Sequence, residues 1–330
     1  MTDPSRPGEP NGRPAPAGSG ARARQGAPHD EDKIALVTGA TSGIGYHTAR
    51  ELATRGTTVL ISGRDPRRGA DAVAAIGAAA GHSRVYFLVA DHATVGANQQ
   101  LARAVPGQLQ QQGLPRRLDV LVNNVGGVFA ARTLTADGYE ASLAVNFLAP
   151  YVLTRWLLPL LGASRSARCV NVASSASWLA RQVPGDLLED LDSSRGYVGI
   201  RAHGRAKLLL LAWTVALARE VHGDGFGVAA VNPGMAWTSM TQSLTPEVVP
   251  SWRYVFPVVR LFQRRADPAK AARVCVQTAC AASAADINGR YFTERGKQGK
   301  LPASVLDPGL QRRVLTKAEE LALRAPTSTG

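Results

Sequence analysis

Short, wholly apolar runs recur along this chain from Lys33 onward and alternate with stretches of helical pattern. The runs at 34–38, 57–62, 84–89, 118–123, 168–173, 226–231 and 289–293 read as strands buried on both faces. Between them, 44–55, 66–78, 95–112, 138–161, 197–221 and 268–282 read as helices. Such alternation builds a doubly wound α/β fold, a parallel sheet of about seven strands with helices on both faces. Right-handed crossovers then bring ligands to the carboxyl ends of the strands. No internal repeat or linker interrupts the pattern after residue 33, so residues 33–330 read as one domain.

The first strand runs directly into glycines: Lys33 to Gly45 reads KIALVTGATSGIG, and Tyr46 to Arg55 has helix-forming composition. A strand that turns through Gly39, Gly43 and Gly45 into a helix brings backbone N–H groups and the positive helix end to one point. Glycines let backbone approach a pyrophosphate closely, so this turn reads as a nucleotide phosphate site.

Composition narrows the picture. Residues 1–32 are rich in Pro, Gly, Ala and Ser with almost no large apolar side chains, and are expected to be a disordered tail. No run is read as apolar and long enough to span a bilayer, and no signal-peptide pattern opens the chain. Cys169, Cys275 and Cys280 lie inside apolar segments without metal-like spacing, which suits buried thiols in a reducing compartment. A cytoplasmic location is the expectation. Net charge is +13; the tail holds four arginines against five acids, leaving +14 on the rest. No basic run interleaves with aromatics as a single-strand nucleic-acid binder requires; an anionic cofactor or substrate is an adequate explanation of the excess, and genome composition is another.

Four further motifs fall at strand ends. LDVLVNNVGG (118–127) closes the fourth strand, and Asn146 lies in LAVNFLAPYVLT. The fifth strand ends in CVNVASSAS, which carries Ser174, and the sixth in VAAVNPGMAWTSM. With the glycine run, these motifs resemble the short-chain dehydrogenase/reductase family over Lys33 to the C-terminus. DGYEASLAVNFLAPYVLT (137–154) and NGRYFTERGK (288–297) resemble its retinol-dehydrogenase-like branch.

The resemblance implies a Rossmann-type dinucleotide site. Gly39, Ser42, Ile44 and Gly45 would line the pyrophosphate, and Asp91, with His92 beside it, would meet the adenine. Asn123 and Gly126 would flank the adenosine ribose, while Pro233, Gly234 and Thr238 would hold the carboxamide side of the nicotinamide. The second strand ends in TVLISGRD. Arg64 follows Gly63 there, where an NAD-preferring site carries an acid, and a guanidinium suits the 2′-phosphate of NADP. Asp65 is the counter-indication, because it can pair with Arg64 or reach the ribose. NADP is the expected cofactor ahead of NAD.

The chain departs from the family at one position. Members carry Tyr-x-x-x-Lys on the helix after the fifth strand; here Lys207 is present, but His203 stands where the tyrosine should be. Residues four apart share a helix face, so His203 points where the phenol would point. Ser174, which would bond the substrate oxygen, and Asn146, which would anchor a proton-relay water, are retained. Three readings fit. His203 replaces the tyrosine as acid in a carbonyl reductase, with Lys207 holding it neutral; it serves as base in a non-redox enzyme (a cyclase, dehydratase or epimerase); or the chain only binds cofactor. Tyr197 is discounted as a substitute, since it lies six residues earlier.

A substrate lid is expected near 239–266, where Trp252, Tyr254, Phe256 and Phe262 supply an aromatic roof and Trp178 and Leu179 line the wall. These apolar surroundings suit a bulky hydrophobic carbonyl or alcohol. Within the family, ketoreductases that tailor aromatic polyketide antibiotics, of the daunorubicin kind, come first, with retinoid-like or steroid-like carbonyls next. Neither nucleic-acid binding nor stable membrane insertion is expected. Family members form dimers or tetramers, so a homodimer is expected unless the extended C-terminal helix blocks it.

Overall fold

The computed structural model describes residues 33–182, 187–221, 223, 225–236, 248 and 266–324. The tail, Thr238 and nearly all of the expected lid lie outside them. The elements run β1 (Ile34–Val37), α1 (Gly43–Thr54), β2 (Thr58–Gly63), α2 (Pro66–Ala80), β3 (Val85–Val89), α3 (Val95–Gln111) and β4 (Val120–Asn123). There follow α4 (Ala141–Leu143), a π-turn (Ala144–Leu148), α5 (Ala149–Gly162), β5 (Ala167–Val172) and a 3-10 segment (Ser175–Gln182). The described part closes with α6 (Gly199–Glu220), β6 (Phe226–Val231), α7 (Pro268–Ala279), β7 (Arg290–Phe292), α8 (Ala303–Leu306) and α9 (Pro308–Arg324).

All seven strands pair in parallel, in the order β3-β2-β1-β4-β5-β6-β7. The strands are apolar on both sides because each side has its own core. Along β1, Ile34 and Leu36 enter a core with α3, α5, α6 and α9, while Ala35 and Val37 enter another with α1, α2 and α7. The chain reverses its direction of winding between β1 and β4, which opens a crevice at their carboxyl ends. Local chemistry starts the helices there. Asp65 caps α2 by accepting from Arg67 and Arg68 N–H, and Thr94 and Asp267 cap α3 and α7 in the same way.

The stretch expected as one helix over 138–161 starts later, at Ala141, and is broken by the π-turn. Glu140 caps it with both carboxylate oxygens, on Ser142 N and Leu143 N. Pro150 has no N–H to return to the carbonyl of Asn146, so the regular ladder lacks a bond at this point. The span 141–162 also corrects the reading that no segment is long and apolar enough to cross a bilayer: by length and composition this one is. Of its apolar 18-residue window, 78% is buried inside the fold, as in a core helix. Cys169 and Cys275 are buried thiols pushed up to about 12 by burial, whereas Cys280 is only half-buried.

Helix α6 meets the turn after β5 at closest range through Gly204. A Cβ there would stand 2.4 Å from the backbone oxygen of Ala176. Gly204→Ala is therefore expected to cost about 1–3 kcal/mol by forcing α6 away from that turn. Urea unfolding checks it; an unchanged midpoint contradicts the tight contact.

Candidate active site

The glycine turn is built as expected and is held from the side by residues the sequence reading did not single out. Gly39 and Gly43 have φ of +61° and +59°, which only glycine adopts without strain. Asn124 Nδ2 donates to the carbonyls of Thr38 (2.8 Å) and Gly39 (3.2 Å). Thr38 Oγ1 in return accepts from Asn124 N and Val125 N, each at 3.0 Å. A Cβ on Gly45 would fall 2.3 Å from Asn124 Nδ2 and 2.7 Å from the carbonyl of Gly39, so the first turn of α1 lies directly on this brace. The Ser42 hydroxyl at the helix entrance makes no capping bond, and Ile44 packs against the α1 core.

Two expected cofactor residues turn their side chains into the protein. The Asn123 side chain does not face the crevice. It is fully buried and donates to Thr154 Oγ1 (2.9 Å) and Asn171 Oδ1 (2.8 Å), behind the sheet. Successive strand residues point to opposite faces, so only one of the paired asparagines could turn toward the glycine loop, and Asn124 does. His92 is also buried, with Nε2 2.9 Å from Ser62 Oγ and Nδ1 2.7 Å from Asn98 Oδ1. Asn98 Nδ2 is spent on the carbonyls of His92 and Thr94, so its Oδ1 is the acceptor and His92 carries its proton on Nδ1. With both nitrogens engaged inside the protein, and burial lowering its pKa, His92 is a structural imidazole.

Other positions stay open to the crevice. Asp91 is exposed, and its Oδ1 accepts from Ala93 N. Arg64 is exposed beyond β2 and has no hydrogen-bond or ion-pair partner among the described residues. Asp65, the counter-indication, is occupied as the cap of α2. Pro233 is buried at the end of β6. Gly234 is exposed with φ of +75°, its N–H on Asn232 Oδ1.

The acid–base group is assembled around Gly126 and Gly127. Asn146, fully buried in the π-turn, accepts from Gly127 N (3.1 Å) and donates to Gly127 O (2.8 Å) and Ser142 O (2.9 Å). Its side-chain amide is thus a brace for the loop. His203 Nδ1 donates to the same Gly127 carbonyl at 2.9 Å. Lys207, one turn on, donates from Nζ to Val172 O at 2.6 Å. A Cβ on Gly126 would meet Asn146 Oδ1 at 2.9 Å and Lys207 Nζ at 3.6 Å, so this loop admits no side chain. Ser174 sits half-buried where β5 ends, with its Oγ accepting from Ala176 N. Tyr197 is elsewhere: its hydroxyl lies 3.1 Å from Phe129 O and 3.3 Å from Glu140 Oε1, and burial pushes it up to about 12.

His203 is held neutral. Its pKa falls to about 4, first through burial and second through Lys207, partly offset by the bond to Gly127. Lys207 falls to about 7 by burial alone. The neutral histidine follows the expectation, although burial outweighs the lysine as its cause.

Above pH 6.5 His203 is neutral in both the folded and unfolded chain and costs nothing. As pH falls from 6.5 to about 4 only the unfolded chain takes up its proton, so the fold loses stability there. The full loss from this residue is about 3 kcal/mol, taken at 1.36 kcal/mol per pH unit. Chemical denaturation at pH 7 and pH 4.5 should therefore show a smaller acid loss in His203→Gln than in the unaltered chain. Equal losses contradict the buried, neutral imidazole.

The geometry agrees with what the chain is similar to. The family model described as short chain dehydrogenase matches residues 33–184. Polyprenol dehydrogenase of Mus musculus is 32% identical over 299 residues, covering 87% of this chain and 83% of that protein. Human retinol dehydrogenase 12 is 31% identical over 262 residues, covering 79% and 78%. Among solved structures, an uncharacterized protein of Mycobacterium paratuberculosis superposes with a TM-score of 0.66 at 26% identity, covering 90% and 96%. A protein of Beutenbergia cavernae, described as an NAD(P)-dependent gluconate 5-dehydrogenase and holding NADP at low occupancy, gives 0.60 at 29%, covering 80% and 95%. Actinorhodin polyketide ketoreductase with NADPH gives 0.61 at 24%, covering 80% and 96%, a likeness of fold alone. The parallel sheet, the glycine turn and these relatives together establish that the chain is an oxidoreductase of the short-chain dehydrogenase/reductase family.

Proposed function

We propose that this protein is an NADP(H)-dependent oxidoreductase that interconverts a bulky, apolar alcohol and its carbonyl compound, with His203 in the acid–base position. The observation that carries this reading is the convergence of His203, Lys207 and Asn146 on the Gly126–Gly127 loop, beside the glycine turn at the switch point of the sheet. A chain that only bound a nucleotide would have no need to bury a histidine one helical turn before that lysine.

The described residues fit a dinucleotide. Gly39, Ser42, Ile44 and Gly45 form a cradle whose free N–H groups and close backbone suit a pyrophosphate, and Gly45 has no room for a side chain. Asp91, Gly126, Pro233 and Gly234 would flank it along the carboxyl ends of the strands, and Lys207 would reach the nicotinamide ribose. Bound there, the nicotinamide supplies hydride exchange. Arg64, exposed and without a partner among the described residues, with Asp65 committed to its helix, supports the 2′-phosphate form. Ser174 would orient the substrate oxygen, and His203 Nε2 would exchange its proton.

The relatives named for polyprenol and retinol support a long apolar alcohol or its carbonyl as substrate class. An aromatic polyketide is a narrower member of the bulky apolar class. Its support is the aromatic composition of 249–262, which lies outside the described residues apart from its sequence. A cytoplasmic setting and a homodimer complete the reading, on sequence grounds only.

Purified protein with NADPH and bulky ketones, aldehydes and quinones, or with NADP+ and the matching alcohols, should change nicotinamide absorbance. His203→Ala should abolish that change. If a panel that His203→Tyr turns over leaves the unaltered protein inactive while cofactor still binds, the redox reading fails. Arg64→Ala should lower kcat/KM for NADPH about 10- to 100-fold, the loss of a charge-assisted bond, with little effect on NADH. Equal effects on both cofactors would remove Arg64 from the phosphate site.

A further inference from the structure

We infer that Asn146 is a positioning residue that, through the Gly127 carbonyl, fixes His203 as its Nδ1–H tautomer and so presents Nε2 to the site as a proton acceptor. The inference rests on the acid–base reading of His203 and adds to it which partner the resting site is built to receive: the hydroxyl of an alcohol, a hydrogen-bond donor.

The geometry is specific. Asn146 grips both polar atoms of one residue, accepting from Gly127 N at 3.1 Å and donating to Gly127 O at 2.8 Å. Its second amide hydrogen is committed to Ser142 O at 2.9 Å, which settles which end of the amide is nitrogen. The peptide planes on both sides of the Gly127 Cα are therefore each held by one bond to Asn146. Its oxygen has a second lone pair, and His203 Nδ1 lies 2.9 Å from the oxygen. A carbonyl only accepts, so Nδ1 must carry the hydrogen. In a neutral ring Nε2 then holds a lone pair. Nε2 has no hydrogen-bond partner among the described residues. Burial and the neighbouring Lys207 both oppose a second proton on the ring.

A phenol in this position would offer a hydrogen to a carbonyl oxygen; this imidazole offers none. A carbonyl oxygen facing Nε2 would set lone pair against lone pair, whereas an alcohol O–H finds its acceptor. In the oxidation the O–H bond breaks and its proton passes to Nε2. The carbinol C–H pair leaves as hydride to an oxidised nicotinamide dinucleotide, and the C=O bond forms. The alcohol is oxidised and the nicotinamide reduced, and the imidazolium, still held at Nδ1, returns its proton to solvent. Reduction runs the same steps backward and first requires a proton on Nε2. The tautomer leaves the overall equilibrium untouched; it selects which substrate form the resting site complements.

Long-range 1H–15N spectra of protein labelled with 15N-histidine, at pH 7.5 and without cofactor, read the tautomer directly. The His203 signals are identified by their absence from His203→Gln. The expected pattern is a protonated Nδ1 and a bare Nε2. A protonated Nε2, or an imidazolium, overturns the inference. Asn146→Asp keeps the acceptor for Gly127 N but loses the donor to its oxygen, and should shift His203 toward a mixture of tautomers. Asn146→Leu, which loses both, should shift it further. If either folded variant leaves the signals unchanged, Asn146 does not position the ring. A protein with the expected tautomer that turns over no alcohol or carbonyl refutes the oxidoreductase proposal alone. One that needs His203 for turnover but shows the other tautomer refutes this inference alone.

Discussion

The carbonyl oxygen of Gly127 accepts from Asn146 and from His203 at once, at 2.8 and 2.9 Å, and the arrangement of the site hangs on that shared acceptor. It joins three separate pieces of chain: the loop after β4, the π-turn before α5 and the first turns of α6. Each contributes a group that would be costly alone. Asn146 is a fully buried amide, His203 a nearly buried imidazole, and Gly127 a loop residue with no strand to pair its backbone. Together they satisfy one another, so the pocket wall is rigid where an acid–base group has to be aimed.

The neighbouring constraints are steric. Gly126 and Gly204 are positions where a methyl group would collide with Asn146 and with the Ala176 backbone. They let the loop and the helix come within contact distance of the groups they position. At the other end of the crevice, Asn124 and Thr38 perform the equivalent service for the glycine turn, tying the end of β1 to the end of β4. Thus the glycine turn and the cluster of Asn146 and His203 hang from two consecutive stretches of the same loop. That is a physical reason for both to lie at the switch point of the sheet.

Replacing phenol with imidazole changes the electrostatics of such a site more than its shape. A phenol's ionised form is an anion that a nearby lysine stabilises. An imidazole's ionised form is a cation that the same lysine opposes, and burial opposes it further. Lys207 therefore depresses the pKa here in a way that favours the neutral, accepting ring. Its own cation is weakened by the same burial, and it donates to the Val172 carbonyl.

The alternation of apolar runs was enough to locate every strand within two residues, because strands covered on both faces must be continuously apolar. Glycine positions, the retained Ser174 and Lys207, and the histidine at the tyrosine position were legible for a related reason: backbone approach and side-chain chemistry depend on residue type. Helix interruption at Asn146 was missed, although Pro150, which withholds a single N–H, stands in the sequence. Neither was the division of labour between Asn123 and Asn124. A pair of identical residues on a strand must face opposite ways, but only the packed neighbours Thr154, Asn171 and the glycine loop decide which faces which. His92 read as a ligand contact because its partners Ser62 and Asn98 come from separate elements. Sequence by itself determined the fold class, the glycine turn and the inventory of reactive groups. Tertiary structure alone decided which polar atoms were already spent on each other, because hydrogen-bond partnership is a property of distance, and distance is set by packing.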